Sequence, residues 1–337
     1  MAGDLDPVLV VDLGGTRLRV AVLDPYGGLL HRTSMSTPPT RPEALAQVMR
    51  ENLEASRFHI AGAVVGVPGP VSYRDGVPLA LPNLPHWEGF VSAEGLARIL
   101  GIPVTLANDA DLAALGEHRL GAGRGTSDMV YLTVSTGVGA GVVLNGRLVH
   151  GRNSLAEIGH TVADLDSGAT IEDVANGAAL DRLAGAPGAE ATRRAALGDP
   201  AAIAAFESIG RMVGLAIHNL ARLFAPQRVV VGGGLTSAGE RLLAPARRYL
   251  EERQLPVEVV RAALGDDGGL RGGTVFWSDL ATAHLGAIPF VGHPPSVGGL
   301  PSSAARRLSA ARRLSAALVT PALGTSALAA CAPATLT

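Results

Sequence analysis

The stretch "VLVVDLGGTRLRVAVLD", from Val8 to Asp24, consists of two apolar runs around a turn of small residues. Alternating Val and Leu on both sides of a glycine turn predicts a β-hairpin that is buried in a core. The residues of the turn are not ones that build an apolar core: they are an acid, two glycines, a threonine and an arginine, namely Asp12, Gly14, Gly15, Thr16 and Arg17. Charged and small residues at the tip of an apolar hairpin indicate that the turn binds something.

The composition is that of an ordinary globular protein. The chain has 337 residues, a formal net charge of −2 and 47% hydrophobic residues, which suits two domains that each bury a core. Nothing in it resembles the concentrated basic face of a nucleic-acid binder. No apolar run has the length of a membrane span, and the acidic start "MAGDLDPV" lacks the basic residues of a secretory signal. We therefore expect a cytoplasmic protein without a membrane or nucleic-acid partner.

The cysteine and lysine contents exclude several kinds of chemistry. Cys331 is the only cysteine, so an intrachain disulfide and a cysteine-based zinc cluster are both ruled out. The sequence contains no lysine. A Walker A loop, a protein-kinase active site and Schiff-base catalysis all require one, and they are excluded as well.

A second hairpin of the same form, "MVYLTVSTGVGAGVVLNGRLVHG", runs from Met129 to Gly151. In both stretches an apolar strand meets a small-residue turn, and a second strand, a reverse turn and a third strand follow. This common order favours an internal duplication of one α/β module over two unrelated hairpins. Strands alternate with helices along the rest of the chain, which predicts an α/β fold with largely parallel sheets.

Three other segments have clear boundaries in the sequence. "IAGAVVGVPGPV" predicts a buried strand that ends in a Gly/Pro loop at Gly66 to Pro70. "PVTLANDADLAALGEHRLG" predicts a strand, the pair Asn108 and Asp109, and then a helix. "DPAAIAAFESIGRMVGLAIHNLARLFAP" predicts a long core helix with Asp199 as its N-cap and an apolar face that includes Ile203.

These patterns divide the chain into three parts. We predict an N-terminal α/β domain over residues 1–118 and a C-terminal α/β domain over residues 119–287, whose last helix packs back on the first domain. Residues 288–337 are rich in Pro, Ser and Ala and contain the hexamer "ARRLSA" twice. This composition predicts a disordered tail, with a short basic amphipathic helix as the alternative.

Glycine-bearing turns follow three of the apolar strands: Gly14-Gly15-Thr16, Thr136-Gly137-Val138-Gly139 and Gly232-Gly233-Gly234. Glycine allows backbone amides to approach an anion closely. Arg17 and Arg19 share one side of a strand and could balance phosphate charge. None of the turns is a GxGxxG that opens a helix, which argues against a dinucleotide-binding Rossmann unit. Together they predict two hairpins that hold the phosphates of one nucleotide and a third turn under its base.

The motifs "DLGGTRLRV", "GVPGPV", "PNLPHWEG", "LANDADLAALGE", "STGVGAG", "EIGH" and "VVVGGGL" resemble, in this order, the ROK family of bacterial sugar kinases and sugar-responsive repressors. The resemblance covers roughly residues 8–286. It implies the actin-like, hexokinase-like ATPase fold, in which two ribonuclease-H-like domains surround a cleft. It further implies that the first hairpin is a phosphate loop for ATP, with Asp12 facing Mg²⁺ through water, and that Thr136 and Gly137 form the second phosphate loop.

Asp109 is the residue that we expect to catalyse the reaction. A sugar hydroxyl is a poor nucleophile, and phosphoryl transfer benefits from a carboxylate that accepts its proton. From the residues alone, Asp109 could equally be a helix cap; the resemblance favours catalysis. It also implies sugar contacts at Gly69, Asn83, Asn108, Asp109, Glu157, His160 and Glu172, although "NLP" at Asn83 is a good turn sequence as well.

The sequence departs from the family pattern after "EIGH". Most ROK kinases carry a cysteine-rich zinc motif there, with the histidine as a further ligand, whereas this chain has the shorter "GHTVADLDSGATIEDVANGAAL". His160, Asp164 and Asp166 form only a weak metal pattern, and a solvated turn is the favoured interpretation. We therefore expect no structural zinc, and either a sugar site held without metal or a weakened kinase.

The resulting hypothesis is an ATP-dependent hexokinase, with glucose the leading substrate and a homodimer the expected assembly. A kinase for N-acetylmannosamine or another hexose is the nearest alternative. A catalytically weak sugar-sensing regulator is a second one; the repressors of the family carry a helix-turn-helix domain before the first hairpin, for which we expect no room here. A filament-forming actin-like ATPase would not need the "EIGH" residues.

Overall fold

The first hairpin forms part of a five-stranded sheet. The computed structural model describes residues 6–281. In it the two predicted strands of the hairpin pair antiparallel from Val8, opposite Leu23, to Leu13, opposite Leu18, which confirms the prediction. A third strand continues this antiparallel pairing, and two parallel strands complete the sheet in the order β3-β2-β1-β4-β7. The strands are β1 (Val8–Leu13), β2 (Arg17–Leu23), β3 (Leu29–Ser36), β4 (Ala63–Val67) and β7 (Val104–Asn108), with β5 (Val71–Ser72) and β6 (Val77–Pro78) as a separate short pair.

The second hairpin forms an equivalent sheet. Its two strands pair antiparallel, a third short strand extends the hairpin, and two parallel strands follow in the order β10-β9-β8-β11-β12. The strands are β8 (Met129–Val134), β9 (Val138–Leu144), β10 (Arg147–Leu148), β11 (Arg228–Gly232) and β12 (Glu258–Arg261). Strand order and directions are the same in the two sheets, so the predicted duplication of one module is visible in the topology.

The helices lie between and around the two sheets. They are α1 (Glu43–Ala55), α2 (Ala93–Leu100), α3 (Asp109–Leu120), α4 (Ile171–Ala175), α5 (Gly177–Ala184), α6 (Gly188–Ala196), α7 (Pro200–Phe224), α8 (Glu240–Glu251) and α9 (Gly268–Ala281). Short 3₁₀ turns occur at Pro85–Trp87, Ile158–His160, Gly234–Ala238 and Gly265–Asp267.

Helix α7 has the predicted start but a less complete apolar face. Asp199 is its N-cap and accepts hydrogen bonds from the backbone amides of Ala201 (2.9 Å) and Ala202 (3.2 Å). Ile203, expected on the buried face, is half exposed, because in this turn Ala202, Ala205 and Phe206 form the buried face and Ile203 lies beside it. By length and composition α7 could cross a membrane. Its packing on α4, α5, α6, α8 and β8 identifies it as a core helix.

Alternation along β8 divides the core into two layers. Val130, Leu132 and Val134 face α7 and α8, whereas Met129 and Tyr131 belong to the apolar cluster of the first sheet. Helix α3 lies between the sheets, because it leaves β7 and packs on β8 and β9. The two sheets are therefore parts of one compact unit. The domain boundary predicted after residue 118 falls inside α3, and the division into domains stays a prediction.

Helix α9 returns the chain to the first sheet. It packs on β1, β4 and α3, and α3 and α9 approach so closely that a Cβ at Gly272 would collide with the carbonyl oxygen of Leu112. The last helix was predicted within residues 272–287 and on the first domain; it begins at Gly268, four residues earlier, and does lie on the first sheet. The predicted tail, residues 288–337, lies outside the described residues.

Candidate active site

The carboxyl ends of parallel strands bring the predicted catalytic residues to one edge of the first sheet. Asp12 lies near the end of β1, Gly69 follows β4, and Asn108 ends β7. In open α/β sheets, ligands bind in the crevice at this edge. The glycine turns of the second sheet follow β8 and β11 in the same way, so the candidate site lies where the corresponding edges of the two sheets face α3.

The glycine turn Gly14-Gly15-Thr16 is predicted to bind phosphate, and we call it the first phosphate turn. It is held by its own backbone and by the segment after β3. The Gly14 N–H donates to the carbonyl of Arg17 (2.9 Å), and the Thr37 hydroxyl donates to the carbonyl of Gly14 (2.7 Å). Gly15 lies directly against Asn83, since a Cβ at position 15 would stand only 2.8 Å from the Asn83 Cβ. The structure thus brings the phosphate turn and the predicted sugar loop into contact, and it leaves no room for a side chain between them.

Asn83 lies in an exposed turn just before the 3₁₀ turn Pro85–Trp87. The Trp87 indole is fully buried and its Nε1–H donates to the carbonyl of Pro38 (3.1 Å). Pro38 follows Thr37, which supports the phosphate turn. The loop of Asn83 is therefore anchored on the same segment as Gly14, and the turn predicted from "NLP" is present. A sugar contact at Asn83 remains a prediction.

Asp12 is paired with Arg19, the residue opposite it on β2. Arg19 Nη1 lies 2.7 Å from Asp12 Oδ2, and Arg19 Nη2 lies 3.2 Å from Asp266 Oδ2. Burial raises the pKa of Asp12, the adjacent Arg19 charge opposes that shift, and Asp266 adds to it. The guanidinium predicted to face phosphate is thus shared between two carboxylates, while Thr16 and Arg17 are exposed at the turn.

The glycine turn Thr136-Gly137-Val138-Gly139, which we call the second phosphate turn, is bound by the carboxylate of a residue distant in the sequence. Thr136 is exposed at the tip, and the Ser135 N–H donates to the carbonyl of Gly137 (2.9 Å). Glu172, in the first turn of α4, accepts a hydrogen bond from the Val138 N–H at its Oε2 (2.7 Å). Glu172 was predicted as a sugar contact. The structure places its carboxylate on the phosphate turn, where it lies between the predicted sugar and nucleotide residues.

The third glycine turn lies beside the second. Gly232 ends β11, and Gly233 has a φ of +87°, a conformation that favours glycine. Thr236 closes the turn by donating its hydroxyl to the carbonyl of Gly233 (2.7 Å). A Cβ at Gly234 would be 3.5 Å from the Ser135 Oγ. Two of the three predicted nucleotide turns are therefore neighbours at the edge of the second sheet.

Asn108, and not Asp109, caps helix α3. Its Oδ1 accepts hydrogen bonds from the amides of Ala110 (2.9 Å) and Asp111 (3.1 Å), and its Nδ2 donates to the carbonyl of Gly69 (3.0 Å). The capping role that was the alternative for Asp109 thus belongs to its neighbour. Asn108 is buried and joins the Gly69 loop to the start of the helix.

Asp109 is half-buried at the first position of α3. Its pKa is raised from 3.8 to about 7, first by burial and then by the charges of Asp12 and Glu157, while the Ala110 amide (2.8 Å) lowers it. A carboxyl group with a pKa near the working pH is suited to general acid–base catalysis. Asp12, Asp109 and Glu157 are thus electrostatically coupled.

A segment of the second half carries Glu157 to the first half. We call residues 149–157 the strap. Ser154 donates its N–H to the carbonyl of Val71 (3.0 Å) and accepts the Val71 N–H at its Oγ (3.1 Å), so the strap extends β5. Burial raises the pKa of Glu157, His160 lowers it and Glu172 raises it. The His160 Nε2 lies 3.9 Å from Glu157 Oε2, with the imidazole largely exposed.

The loop that replaces the zinc motif is a solvated turn. Asp164 Oδ1 accepts the amides of Asp166 and Ser167 (both 2.9 Å), which is an Asx-type turn. Among the described residues, no group of three or more His, Cys, Asp or Glu side chains could hold a metal ion. Mg²⁺ commonly uses one or two carboxylates together with substrate phosphates. Asp12, coupled to Asp109 at the phosphate turn, fits that mode of binding.

Sequence reasoning missed several residues that build this site. Asp266 pairs with Arg19 from a segment almost 250 residues away, and no local pattern marks it. Ser154 and Tyr73 are hidden in irregular loops, although both make hydrogen bonds around the site. Asp111 is a charged residue within the apolar run "DADLAAL", and its helical spacing from Asn108 was an available signal for burial.

The two equivalent sheets, the acidic residues at their facing edges and the glycine turns define the actin-like, hexokinase-like ATPase fold. Comparison with known proteins agrees, since the profile of the ROK family matches residues 8–279. The chain therefore belongs to the ROK family.

Individual relatives are similar along most of their length. The glucokinase of Halalkalibacterium halodurans is 32% identical over 306 residues, covering 78% of this chain and 92% of the relative. The N-acetylmannosamine kinase of Escherichia coli is 35% identical over 289 residues, covering 78% and 96%. A solved ROK family glucokinase from Streptomyces griseus, in complex with glucose and AMPPNP, superposes with a TM-score of 0.71 at 30% identity, covering 80% and 98%.

Proposed function

We propose that this protein is an ATP-dependent hexose kinase that phosphorylates the 6-hydroxyl of glucose. The observation that carries the proposal is Asp109, a half-buried carboxyl group with a pKa of about 7 at the carboxyl edge of the first sheet. Glucokinases are among the relatives, and one solved relative holds glucose and an ATP analogue. ATP as the donor and a sugar as the acceptor follow from this kinship.

The proposed chemistry requires one base and one displacement. The oxygen of the sugar hydroxyl attacks the γ-phosphorus of ATP, and the bond from that phosphorus to the β–γ bridging oxygen breaks. Asp109 accepts the hydroxyl proton, and ADP leaves with the electron pair of the broken bond. Asn108 contributes by fixing the start of α3, so that the Asp109 carboxylate has one orientation.

The nucleotide residues are proposed on the three glycine turns. The first turn lies next to Asp12, and the other two are neighbours at the second sheet. Mg²⁺, when bound with ATP, supplies positive charge that neutralises the phosphates. The proposed set is Asp12, Gly14, Gly15, Thr16, Arg17, Arg19, Thr136, Gly137, Gly232, Gly233 and Gly234.

The sugar residues are proposed around the strap and the Asn83 loop. Asn83 touches the first phosphate turn, and Glu157 is close enough to Asp109 to raise its pKa. This closeness of the sugar and phosphate residues supports transfer between two bound substrates. The proposed set is Gly69, Asn83, Asn108, Asp109, Glu157, His160 and Glu172.

The proposal is tested with purified full-length protein and a panel of hexoses in the presence of ATP and Mg²⁺, with ADP release as the measurement. We expect the highest kcat/KM with glucose and ADP release that is about 10²- to 10⁴-fold slower with Asp109→Asn. Turnover that is highest with N-acetylmannosamine would assign the second candidate, which the 35% identical kinase favours. Sugar binding without any turnover would instead support the sugar-sensing regulator.

Three remaining expectations belong to the same proposal. Metal analysis of tag-free protein is expected to show no stoichiometric zinc, because no cysteine motif follows "EIGH". Sedimentation at micromolar concentration is expected to show a homodimer. Fractionation of the source cells is expected to place the protein in the cytoplasm. One zinc per chain, a monomer or a membrane-bound protein would each overturn the corresponding expectation.

A further inference from the structure

Tyr73 is a buried polar residue directly beneath the proposed catalytic turn. It lies between β5 and β6 and is 4% exposed. Its hydroxyl accepts the backbone N–H of Asn108 (3.3 Å) and donates to Asp111 Oδ2 (2.5 Å). The hydroxyl thus connects the residue before Asp109 with the residue two positions after it.

Asp111 is the partner of Tyr73 inside the core. It is 1% exposed, and its own N–H donates to Asn108 Oδ1 (3.1 Å). Its Oδ1 is buried and has no hydrogen-bond partner in the part of the chain that the structure describes. An ionised carboxylate with a single donor would be very unfavourable in such surroundings, whereas a neutral carboxyl group loses far less on burial. Burial with a single donor therefore favours the protonated form.

The electrostatic surroundings of Asp111 agree with a neutral group. Its pKa is raised from 3.8 to about 8, mainly by burial and further by the charges of Glu157 and Asp109, while the Tyr73 hydrogen bond opposes the shift. A second negative charge at this position would also raise the pKa of Asp109 further and favour its protonated form, which cannot accept the hydroxyl proton. A neutral Asp111 can hold the turn without disturbing the base.

The contacts of Asn108 show what the pair accomplishes. Its N–H is bound by Tyr73, its Oδ1 accepts the Ala110 and Asp111 amides, and its Nδ2 donates to Gly69. Asn108, the residue that leads into Asp109, is therefore held through both its backbone and its side chain. Removing the Tyr73 hydroxyl would remove one hydrogen bond from the Asn108 backbone N–H and one from the Asp111 carboxyl group, both in a buried place.

Tyr73 also contacts the strap. Its ring centroid lies 5.2 Å from that of His150, at an interplanar angle of 52°, and 6.2 Å from that of Phe276 on α9. His150 belongs to the segment that carries Glu157, so Tyr73 contacts both the start of α3 and the strap. Movement of Tyr73 would alter both.

We propose that Tyr73 and Asp111 are positioning residues for phosphoryl transfer, in which Tyr73 and a neutral Asp111 carboxyl group fix the Asn108 peptide and thereby orient Asp109. This inference rests on the proposed function, because it assigns the pair a purpose in the same reaction. It goes beyond that function by naming two residues that touch neither substrate.

The first test is kinetic and uses Tyr73→Phe, which keeps the ring and removes only the hydroxyl. We expect kcat to fall about tenfold to a hundredfold, because a catalytic group displaced by 1 Å loses that much, while the KM for the sugar stays within about twofold. Tyr249→Phe is the matched control, since Tyr249 is a buried tyrosine on α8 that packs against Arg253 and belongs to the apolar cluster of the second sheet, whereas Tyr73 belongs to that of the first. Its kcat is expected to equal that of the wild type.

The second test separates a neutral from an ionised Asp111. Asp111→Asn is a neutral isostere and is expected to keep most of the wild-type kcat, whereas Asp111→Leu, which cannot accept the Tyr73 hydrogen bond, should lose as much as Tyr73→Phe. Infrared spectra are recorded at pH 7 without substrates, and the spectrum of each variant is subtracted from that of the wild type. The difference for Asp111→Asn should contain the band of a protonated carboxyl group, and the difference for Tyr249→Phe should not.

The outcomes distinguish the two proposals. A wild-type protein that phosphorylates no sugar would refute the proposed function, and the infrared band would still decide the state of Asp111. An active wild type with an unchanged kcat in Tyr73→Phe would refute the positioning role. A large loss in Asp111→Asn, or the absence of its infrared band, would show that Asp111 is ionised and would overturn the inference.

Discussion

The two phosphate hairpins have the same topology and different chemistry. The first carries Asp12 within the hairpin, paired with Arg19, and lies against Asn83. The second carries no charged side chain in its turn and is supported by Glu172, which reaches it from α4. The two hairpins thus share their backbone topology, while only the first carries charged side chains in its own turn. In the proposed function, the catalytic base Asp109 belongs to the first half, and the second half contributes two of the three nucleotide turns.

The largest expected effect tests whether the catalytic base lies in the first half of the chain. Asp109→Asn should lower kcat by about 10²- to 10⁴-fold with little change in the KM for sugar, because the amide cannot accept a proton. Steady-state kinetics of the variant would measure this. Glu172→Gln is the companion variant from the second half, and it should change KM values more than kcat. A greater loss of kcat in Glu172→Gln would reverse the comparison.

A pair of glycine substitutions compares the turns directly. Gly15→Ala places a methyl group 2.8 Å from the Asn83 Cβ, next to the backbone, whereas Gly137→Ala meets the end of the flexible Glu172 side chain at 2.5 Å. We expect kcat/KM to fall about tenfold to a hundredfold in Gly15→Ala, since both substrate loops must separate. Gly137→Ala should raise mainly the KM for ATP, by a few-fold. Equal losses in the two variants would contradict this difference.

The pH dependence of activity sharpens the role of the first half. Asp109 acts as a base only when ionised, and its pKa of about 7 means that the fraction of the active form falls as the pH drops below 7. A profile of kcat/KM between pH 5 and 9 should therefore decline about tenfold per unit on its acidic side. A profile that stays flat down to pH 5 would rule out Asp109 as the titrating base.

The carboxyl group of Asp109 also affects the stability of the fold, and the direction of this effect with pH can be measured. The raised pKa means that the folded protein binds a proton that the unfolded chain has lost, so Asp109 opposes folding increasingly as the pH rises from about 4 to 7. Thermal unfolding of Asp109→Asn should give a higher Tm than the wild type at pH 8. The difference should vanish near pH 4.

The smallest effect concerns backbone strain in the second half. Ala156, just before Glu157 in the strap, has a φ of +61°, which alanine adopts with strain. Ala156→Gly should raise the free energy of unfolding by about 0.5–1 kcal/mol, and Ala225→Gly, at a φ of +46° after α7, should do the same. Ala169 does not have a positive φ, so Ala169→Gly should lower the free energy of unfolding. Chemical denaturation would measure all three.

The sequence was sufficient for the fold because its signals are local and repeated. Alternating Val and Leu predicted both hairpins, and Asp199 followed by Pro200 marked the start of α7. Ile203 was misjudged because the buried face of this turn is formed by Ala202 and Ala205, whose small side chains mark a core face less clearly than isoleucine does. The start of α9 was placed four residues late, since "GDDGGLRGG" favours a loop and tertiary packing on α3 overrides the low helix propensity of glycine.

For the candidate site, the sequence predicted residue types better than their partners. Asp109 and the three glycine turns are where their motifs place them, at the ends of strands. The pairing of Arg19 with Asp12 and Asp266, and the bond of Glu172 to Val138, join residues from distant segments. Such contacts depend on how the two sheets face each other. No spacing along one chain contains that information.

The return of α9 to the first sheet has a consequence for how the protein is made. A ribosome releases β1 early in synthesis, yet the helix that covers β1 and α3 ends at Ala281, more than 250 residues later. Until that helix emerges, Val10 and Leu112 lack part of their apolar cover. The first half therefore cannot complete its core during translation, and contacts of such long sequence separation slow folding. We expect the nascent chain to require chaperone protection until synthesis is nearly finished.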